Sequence, residues 1–149
     1  MKKILFVIVV FSITLFSCKR EYKTTEHGAL MKFYSVNKTN DMPQIGDLVV
    51  VDVVQKIADT VFINSNDFDE PFEILIEEPS FKGDVMCALL SMHVGDHASL
   101  IFPIDSIFLS LGEPLPDFME SGTITEMDIV LKEIIKKEEV TEVAEETTA

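Results

Sequence analysis

One stretch, DVMCALLSM at residues 84–92, has the apolar spacing of an α-helix within a chain otherwise patterned for strands. Its residues Val85, Ala88 and Leu89 stand at positions i, i+3 and i+4, which puts them on one helical face. Asp84 is a predicted N-cap, because its side chain can accept a hydrogen bond from the first helical turn. A helix this short must bury its apolar face against other elements, and the available elements are strands.

Strand patterns fill most of the remaining chain. The run DLVVVDVVQ at 47–55 is β-branched and nearly continuous, which is typical of a central strand. Further strands are predicted at 29–36, 59–65, 71–78, 98–103 and 123–134, with a proline-containing loop between the last two. The predicted fold class is therefore α+β, with a twisted, largely antiparallel β-sheet wrapped around one short central α-helix.

The start of the chain has the features of a bacterial export signal. Two lysines precede an apolar run at 4–16, which is shorter than the ~20 residues that a membrane-spanning helix needs. The following Leu-Phe-Ser-Cys18 resembles a lipobox, so we predict a lipoprotein signal peptide at 1–17 and a lipid anchor on Cys18. An ordinary signal peptide with an incidental cysteine is the alternative. With Cys18 acylated, Cys87 lacks a disulfide partner and is predicted to be a small buried hydrophobe.

Composition divides the rest of the chain into three parts. Residues 18–28 are polar and predicted to form a flexible tether, 29–136 form the domain, and the acidic 137–149 form a disordered tail. Without its first 17 residues the chain has 10 basic and 26 acidic residues, a formal charge of −16. This charge argues against nucleic acid as a partner and against electrostatic adhesion to anionic lipid. We expect the domain to be a monomer.

Two histidines four residues apart, His93 and His97, raise the question of a metal site. They would share a helical face only if the helix continued through them. Gly95 and Asp96 between them indicate instead a turn that ends the helix and leads into the next strand. The spacing that metal binding would need is then lost, so we predict neither a metal nor another cofactor.

Five motifs, in order along residues 45–134, resemble FKBP-type peptidyl-prolyl cis-trans isomerases. They are GDLVVVD at 46–52, DTVFINS at 59–65, EPFEI at 70–74, FKGDVMCALLSMHVGDHASLIFP at 81–103 and ITEMDIVL at 124–131. The resemblance implies an FKBP-like fold and an enzyme that isomerises X-Pro bonds in proline-containing polypeptides. Such an enzyme needs no nucleophile, because an apolar cleft favours the twisted amide, which is less polar than the planar one.

The resemblance also implies which residues line the cleft. These are Val53, Phe62, Phe72, Phe81, Phe108 and Met127. Five positions depart from the family pattern. Val53 and Phe108 stand where the family has tyrosines, and Ile63 stands where it has an aspartate. Asp84 stands where many members have a large apolar residue, and Thr60 replaces the glycine of the hairpin. The predicted cleft is therefore more apolar than usual, with fewer groups to orient a substrate.

The predicted function is a lipid-anchored prolyl isomerase that assists the folding of exported proteins. Two alternatives stay open at this point. One is a catalytically degenerate FKBP-like module that binds proline-containing or unfolded segments, and the other is a structural lipoprotein of the cell envelope. In some bacteria, an aspartate directly after the lipidated cysteine retains a lipoprotein at the inner membrane. This chain has Lys19 there, which favours the outer membrane, with the domain facing the periplasm.

Overall fold

A computed structural model describes residues 21–38 and 41–137 of the chain. The predicted signal peptide at 1–17, the predicted anchor Cys18 and residues 138–149 of the predicted tail lie outside these ranges. Within the described ranges, no helix is both long enough and apolar enough to cross a bilayer.

The described residues form seven strands and two short helices. The strands are β1 (Lys23–Thr24), β2 (Leu30–Ser35), β3 (Leu48–Ile57), β4 (Thr60–Asn64), β5 (Phe72–Leu75), β6 (His97–Pro103) and β7 (Ile124–Ile135). The helices are α1 (Val85–Leu89) and α2 (Asp105–Leu111), and a single 3-10 turn spans Ser65–Asp67. The predicted α+β class, with strands before and after a short helix, is confirmed.

All strands join one antiparallel sheet in the order β1-β2-β6-β7-β3-β4, and β5 also pairs with β3. The longest pairing joins β3 to β7 and runs from Leu48 opposite Ile135 to Ile57 opposite Thr125. The β-branched run predicted to be a central strand is thus the strand on which three others pair.

β3 changes its partner on one side halfway along its length. Residues Leu48 to Val51 pair with β5, and Val54 to Ile57 pair with β4. Between the two, the buried backbone N–H of Val53 donates to the Ser65 hydroxyl oxygen at 2.9 Å. A side chain therefore supplies the acceptor that neither strand provides at this position.

The core lies between the inner face of the sheet and α1. Cys87, Ala88 and Leu89 of the helix are buried in the same cluster as Val51 and Leu131 of the sheet. Every second residue of a strand points to this face, so the core-facing apolar residues of the strands alternate with outward-facing residues. Those of the helix recur every three or four residues. Cys87 is free and buried, as predicted.

The entry to α1 is fixed by two neighbouring residues. Asp84 is the N-cap, as predicted, and its carboxylate accepts from the backbone N–H of Cys87 at 3.0 Å and of Ser80 at 2.7 Å. Gly83 has φ +95°, and a Cβ there would lie 3.2 Å from the carbonyl oxygen of Gly28. Glycine is therefore required by both the backbone conformation and the close approach.

The predicted tether at 18–28 requires correction over its described part. β1 pairs with β2, and the Tyr22 hydroxyl forms hydrogen bonds with Ser99 at 2.9 Å and Glu126 at 3.0 Å. The short polar segment adds a strand to the edge of the sheet because its backbone pairs with that of β2. Ordered structure thus begins before residue 29.

The prediction of a single helix also requires correction. The predicted loop between β6 and β7 contains α2, which ends at Gly112 in the left-handed conformation with φ +70°. The helix is stable there because Ile107 packs against the core cluster.

Candidate functional site

A groove of about 340 Å³ opens between α1, α2 and the inner face of the sheet. Its apolar lining consists of Phe81, Val85, Met86, Phe102, Ile107, Leu111 and Met127. Its polar lining consists of Gln55, Glu77, Glu78, Ser80, Asp84 and Ser110. The volume lies within the range of small-ligand sites, which is about 300–1,000 Å³.

The inward-facing side chains of β6 and β7 form the floor of the groove. Phe102 follows Ala98 and Leu100 on the inner face of β6 and is almost fully buried. Its ring meets that of Phe81 edge to face, with centroids 5.5 Å apart and an interplanar angle of 63°. This packing holds an apolar surface at the bottom of the groove.

One wall of the groove is α2, which is tied to the following loop at its first turn. Asp105 accepts hydrogen bonds from the Ser121 hydroxyl and the Gly122 backbone N–H, both at 2.6 Å. These bonds lower the pKa of the Asp105 carboxyl below its ordinary value. The tie fixes the helix so that Ile107 faces the groove, whereas Leu109 on the same helix is 81% exposed.

The rim of the groove is acidic. Glu77 and Glu78 lie on the segment between β5 and α1, and both are exposed. The buried Asp84 adds a third carboxylate to the lining. Among the described residues that line the groove, none is lysine or arginine.

Of the six residues predicted to line a cleft, the structure brings Phe81 and Met127 into this groove. Met127 lies on β7 opposite Gln55 of β3, and both side chains reach the groove. Phe81 lies just before α1. These two residues come from the long motif and from the last strand of the family resemblance.

The other four predicted residues lie elsewhere. Val53 is only 2% exposed and belongs to the core cluster. Phe72 is partly buried and packs against the same cluster. Phe62 on β4 is 59% exposed and does not line the groove. Phe108 is half-buried on α2, but it is its neighbour Ile107 that faces the groove.

The sequence-based prediction missed five of the seven apolar groove residues, namely Val85, Met86, Phe102, Ile107 and Leu111. Phe102 lies in a strand that was predicted, and its alternation with Ala98 and Leu100 puts it on the inner face. Ile107 lies in the missed helix. A signal for that helix is present, since Ile104, Ile107 and Leu111 stand at i, i+3 and i+7 before a glycine.

The two histidines occupy different environments. His93 lies in the turn after α1, with Nδ1 3.3 Å from a carboxylate oxygen of the buried Asp96. His97 begins β6, and its ring stacks on Tyr34 with centroids 4.7 Å apart. Gly95 has φ +91°, so the predicted turn is confirmed. In the described parts of the chain, no group of three or more His, Cys, Asp or Glu side chains could hold a metal ion.

A second, broader depression of about 760 Å³ lies at His27, residues 42–45, residues 78–79 and Leu90. None of these lining residues belongs to a strand, so the depression lacks the apolar sheet floor of the groove. The groove between the helices is therefore the better candidate.

The groove can bind an apolar side chain or ring and exclude water around it. Its lining within the described chain contains no histidine, cysteine or lysine, and its titratable groups are the carboxylates of Glu77, Glu78 and Asp84. It also offers no donor set for a metal or phosphate cofactor. Such a site suits chemistry in which low polarity itself favours the transition state.

No protein-family profile and no curated protein sequence matches the chain. Solved structures do resemble it. FkpA from Escherichia coli superposes with a TM-score of 0.60 at 20% identity, over 82% of this chain and 55% of FkpA. A peptidyl-prolyl cis-trans isomerase from Pseudomonas syringae pv. tomato superposes with a TM-score of 0.58 at 20% identity, over 80% of this chain and 84% of that protein.

These likenesses establish the fold. The chain has an FKBP-like fold, as the five sequence motifs predicted. It spans little more than half of FkpA. At 20% identity the comparison concerns the architecture, and the activity must be argued from the groove itself.

Proposed function

We propose that this chain is a peptidyl-prolyl cis-trans isomerase that acts on exported proteins. The observation that carries the proposal is the apolar groove between α1, α2 and the sheet, on an FKBP-like fold. The groove has the size for a proline ring and its neighbouring residue, and its floor of Phe81, Phe102 and Met127 is apolar.

The proposed catalysis follows from the polarity of the groove. Rotation about an amide bond must cross a barrier of about 18–20 kcal/mol, because resonance is lost. The twisted amide has a less polar carbonyl than the planar amide and loses less hydration on entering an apolar site. A groove that displaces water therefore binds the twisted form better than the ground state.

Two substitutions on α2 test this proposal. With the full chain in a non-ionic detergent, we expect faster cis-to-trans conversion of a Leu-Pro-Phe peptide than without protein. Ile107→Ala removes groove surface and should lower kcat/KM about tenfold or more, since each methylene in an apolar pocket contributes about tenfold. Leu109→Ala is the matched control on the same helix and should leave kcat/KM within about twofold, because Leu109 is 81% exposed.

The proposal fails if the folded chain accelerates no X-Pro peptide. Equal loss of activity in both α2 variants would contradict the groove as the active site. The loss would then reflect the stability of α2 and not the removal of groove surface. Circular dichroism of each variant separates unfolding from loss of activity.

A binding module without turnover is the second candidate function. Leu111 at the groove is 67% exposed, and Leu109 and Phe118 nearby in sequence are more than 80% exposed. Such exposed apolar residues can hold unfolded segments. This function predicts peptide binding and higher refolding yield of an aggregation-prone client, with no change in the rate of prolyl isomerisation.

We also propose that Cys18 carries a lipid that anchors the domain at the cell envelope, on the periplasmic side of the outer membrane. The proposal rests on the lipobox-like sequence alone. Expressed in a bacterium fed radiolabelled palmitate, the wild-type chain should take up label and Cys18→Ala should not. Equal labelling of both chains would refute the proposed anchor.

A further inference from the structure

The acidic rim of the groove is held in a fixed position. Glu77 and Glu78 lie between two anchored backbone positions: the Ile76 N–H donates to the Asp47 carbonyl at 2.8 Å, and the Ser80 N–H donates to the Asp84 carboxylate at 2.7 Å. Pro79 stiffens the short segment between them. The two glutamates are thus held beside the apolar floor.

The charge of the rim is not compensated within the described chain. Neither Glu77 nor Glu78 takes part in a hydrogen bond or ion pair there, whereas Asp47, Asp52 and Asp128 each have a lysine within 4.0 Å. The nearest lysine in sequence, Lys82, packs its side chain over Gly28 and does not line the groove. A bound ligand therefore meets uncompensated negative charge next to an apolar floor.

We infer that the groove selects X-Pro segments that carry lysine or arginine next to the apolar residues, with Glu77 and Glu78 as the specificity-determining residues. The inference rests on the proposed function, in that it takes the groove to be the peptide site. The apolar floor receives the proline and its apolar neighbour, and the rim carboxylates attract the flanking cation. A flanking carboxylate is repelled by the same pair.

Three matched peptides test the inference: Lys-Leu-Pro-Phe-Lys, Gln-Leu-Pro-Phe-Gln and Glu-Leu-Pro-Phe-Glu. For the full chain in non-ionic detergent, kcat/KM should be about tenfold higher for the lysine peptide than for the glutamate peptide at low salt. A tenfold ratio is the size expected when two solvent-exposed charge interactions each change kcat/KM a few-fold. The ratio should fall towards one between about 0.01 M salt, where the Debye length is about 30 Å, and about 1 M, where it is about 3 Å.

Two double variants with the same change in net charge locate the effect. Glu77→Gln with Glu78→Gln should bring the ratio between lysine and glutamate peptides close to one. Glu73→Gln with Glu133→Gln is the control, because both exposed residues pair with Val50 in the sheet and neither lines the groove. The control should keep the full ratio.

The outcomes separate this inference from the proposed function. Turnover of all three peptides at equal rates overturns the inference and leaves the isomerase in place. A preference that persists in the Glu77→Gln and Glu78→Gln variant overturns the assignment, since overall charge would then explain it. If no peptide is turned over, fluorescence polarisation of labelled peptides measures binding instead. Tighter binding of the lysine peptide that is lost in the Glu77→Gln and Glu78→Gln variant supports the inference, although the proposed isomerase function then fails. Equal binding, or none, overturns it.

Discussion

Replacing Ser65 by alanine would test the hydrogen bond at which β3 changes from β5 to β4. The Ser65 hydroxyl oxygen accepts from the Val53 backbone N–H at 2.9 Å, and both residues are buried. Neither β4 nor β5 pairs with β3 at Val53. Ser65→Ala therefore leaves a buried N–H without its acceptor, while the backbone bond from the Phe68 N–H to the Ser65 carbonyl is kept.

The magnitude follows from the cost of an unsatisfied buried donor. Such a group costs about 1–3 kcal/mol, so we expect a loss of about 2 kcal/mol in the free energy of unfolding. Against a total of about 5–15 kcal/mol for a domain, this is a large fraction. With a urea m-value of about 2 kcal/mol/M, the midpoint should fall by about 1 M.

Urea titration followed by circular dichroism measures this shift, and amide hydrogen exchange of Val53 measures it locally. Ser35→Ala is the control, because Ser35 is an exposed strand serine with no side-chain hydrogen bond in the described chain. Its effect should stay within about 0.5 kcal/mol. If both variants shift the midpoint equally and the Val53 amide stays protected, the N–H has another partner and the reasoning is refuted.

The remaining predictions concern Asp105 and pH. Its pKa is lowered in the folded chain by the bonds from Ser121 and Gly122, so its contribution to stability is present above the unfolded pKa of about 3.9 and is lost as the pH falls through the folded value. We expect the thermal midpoint of the wild type to drop on acidification below about pH 4. The midpoint of Asp105→Asn should start lower and drop less. Parallel dependence of the two midpoints on pH would contradict this prediction. Asp105→Asn should also lower kcat/KM at neutral pH, because α2 loses its tie to the loop.

The fold was largely predictable because its main signals are local. The period of α1, the Asp84 cap and the Gly95 turn each follow from a few adjacent residues, and all three are present in the structure. The long β3 strand was equally clear from its β-branched run. Its exchange of partners at Val53 was not, because that depends on where two distant segments meet.

The groove was less predictable, and α2 explains why. The family resemblance pointed to Phe108, but the rotation of α2 turns Ile107 to the groove instead. That rotation depends on the Asp105 tie to Ser121, 16 residues later in the chain. Phe81 and Met127 were found because Phe81 lies just before α1 and Met127 lies on β7, two elements whose register the motifs fix.

The Tyr22 hydroxyl, bonded to Ser99 and Glu126, limits how far the domain can travel from an anchor. Three residues lie between Cys18 and Tyr22, and the four Cα-to-Cα steps between the two span at most about 14 Å when fully extended. Ser99 and Glu126 alternate with core residues, so Tyr22 lies on the outer face of the sheet and the groove opens on the inner one. A domain held by a lipid at Cys18 would therefore lie against the bilayer with its outer face, and clients would reach the groove from the aqueous side.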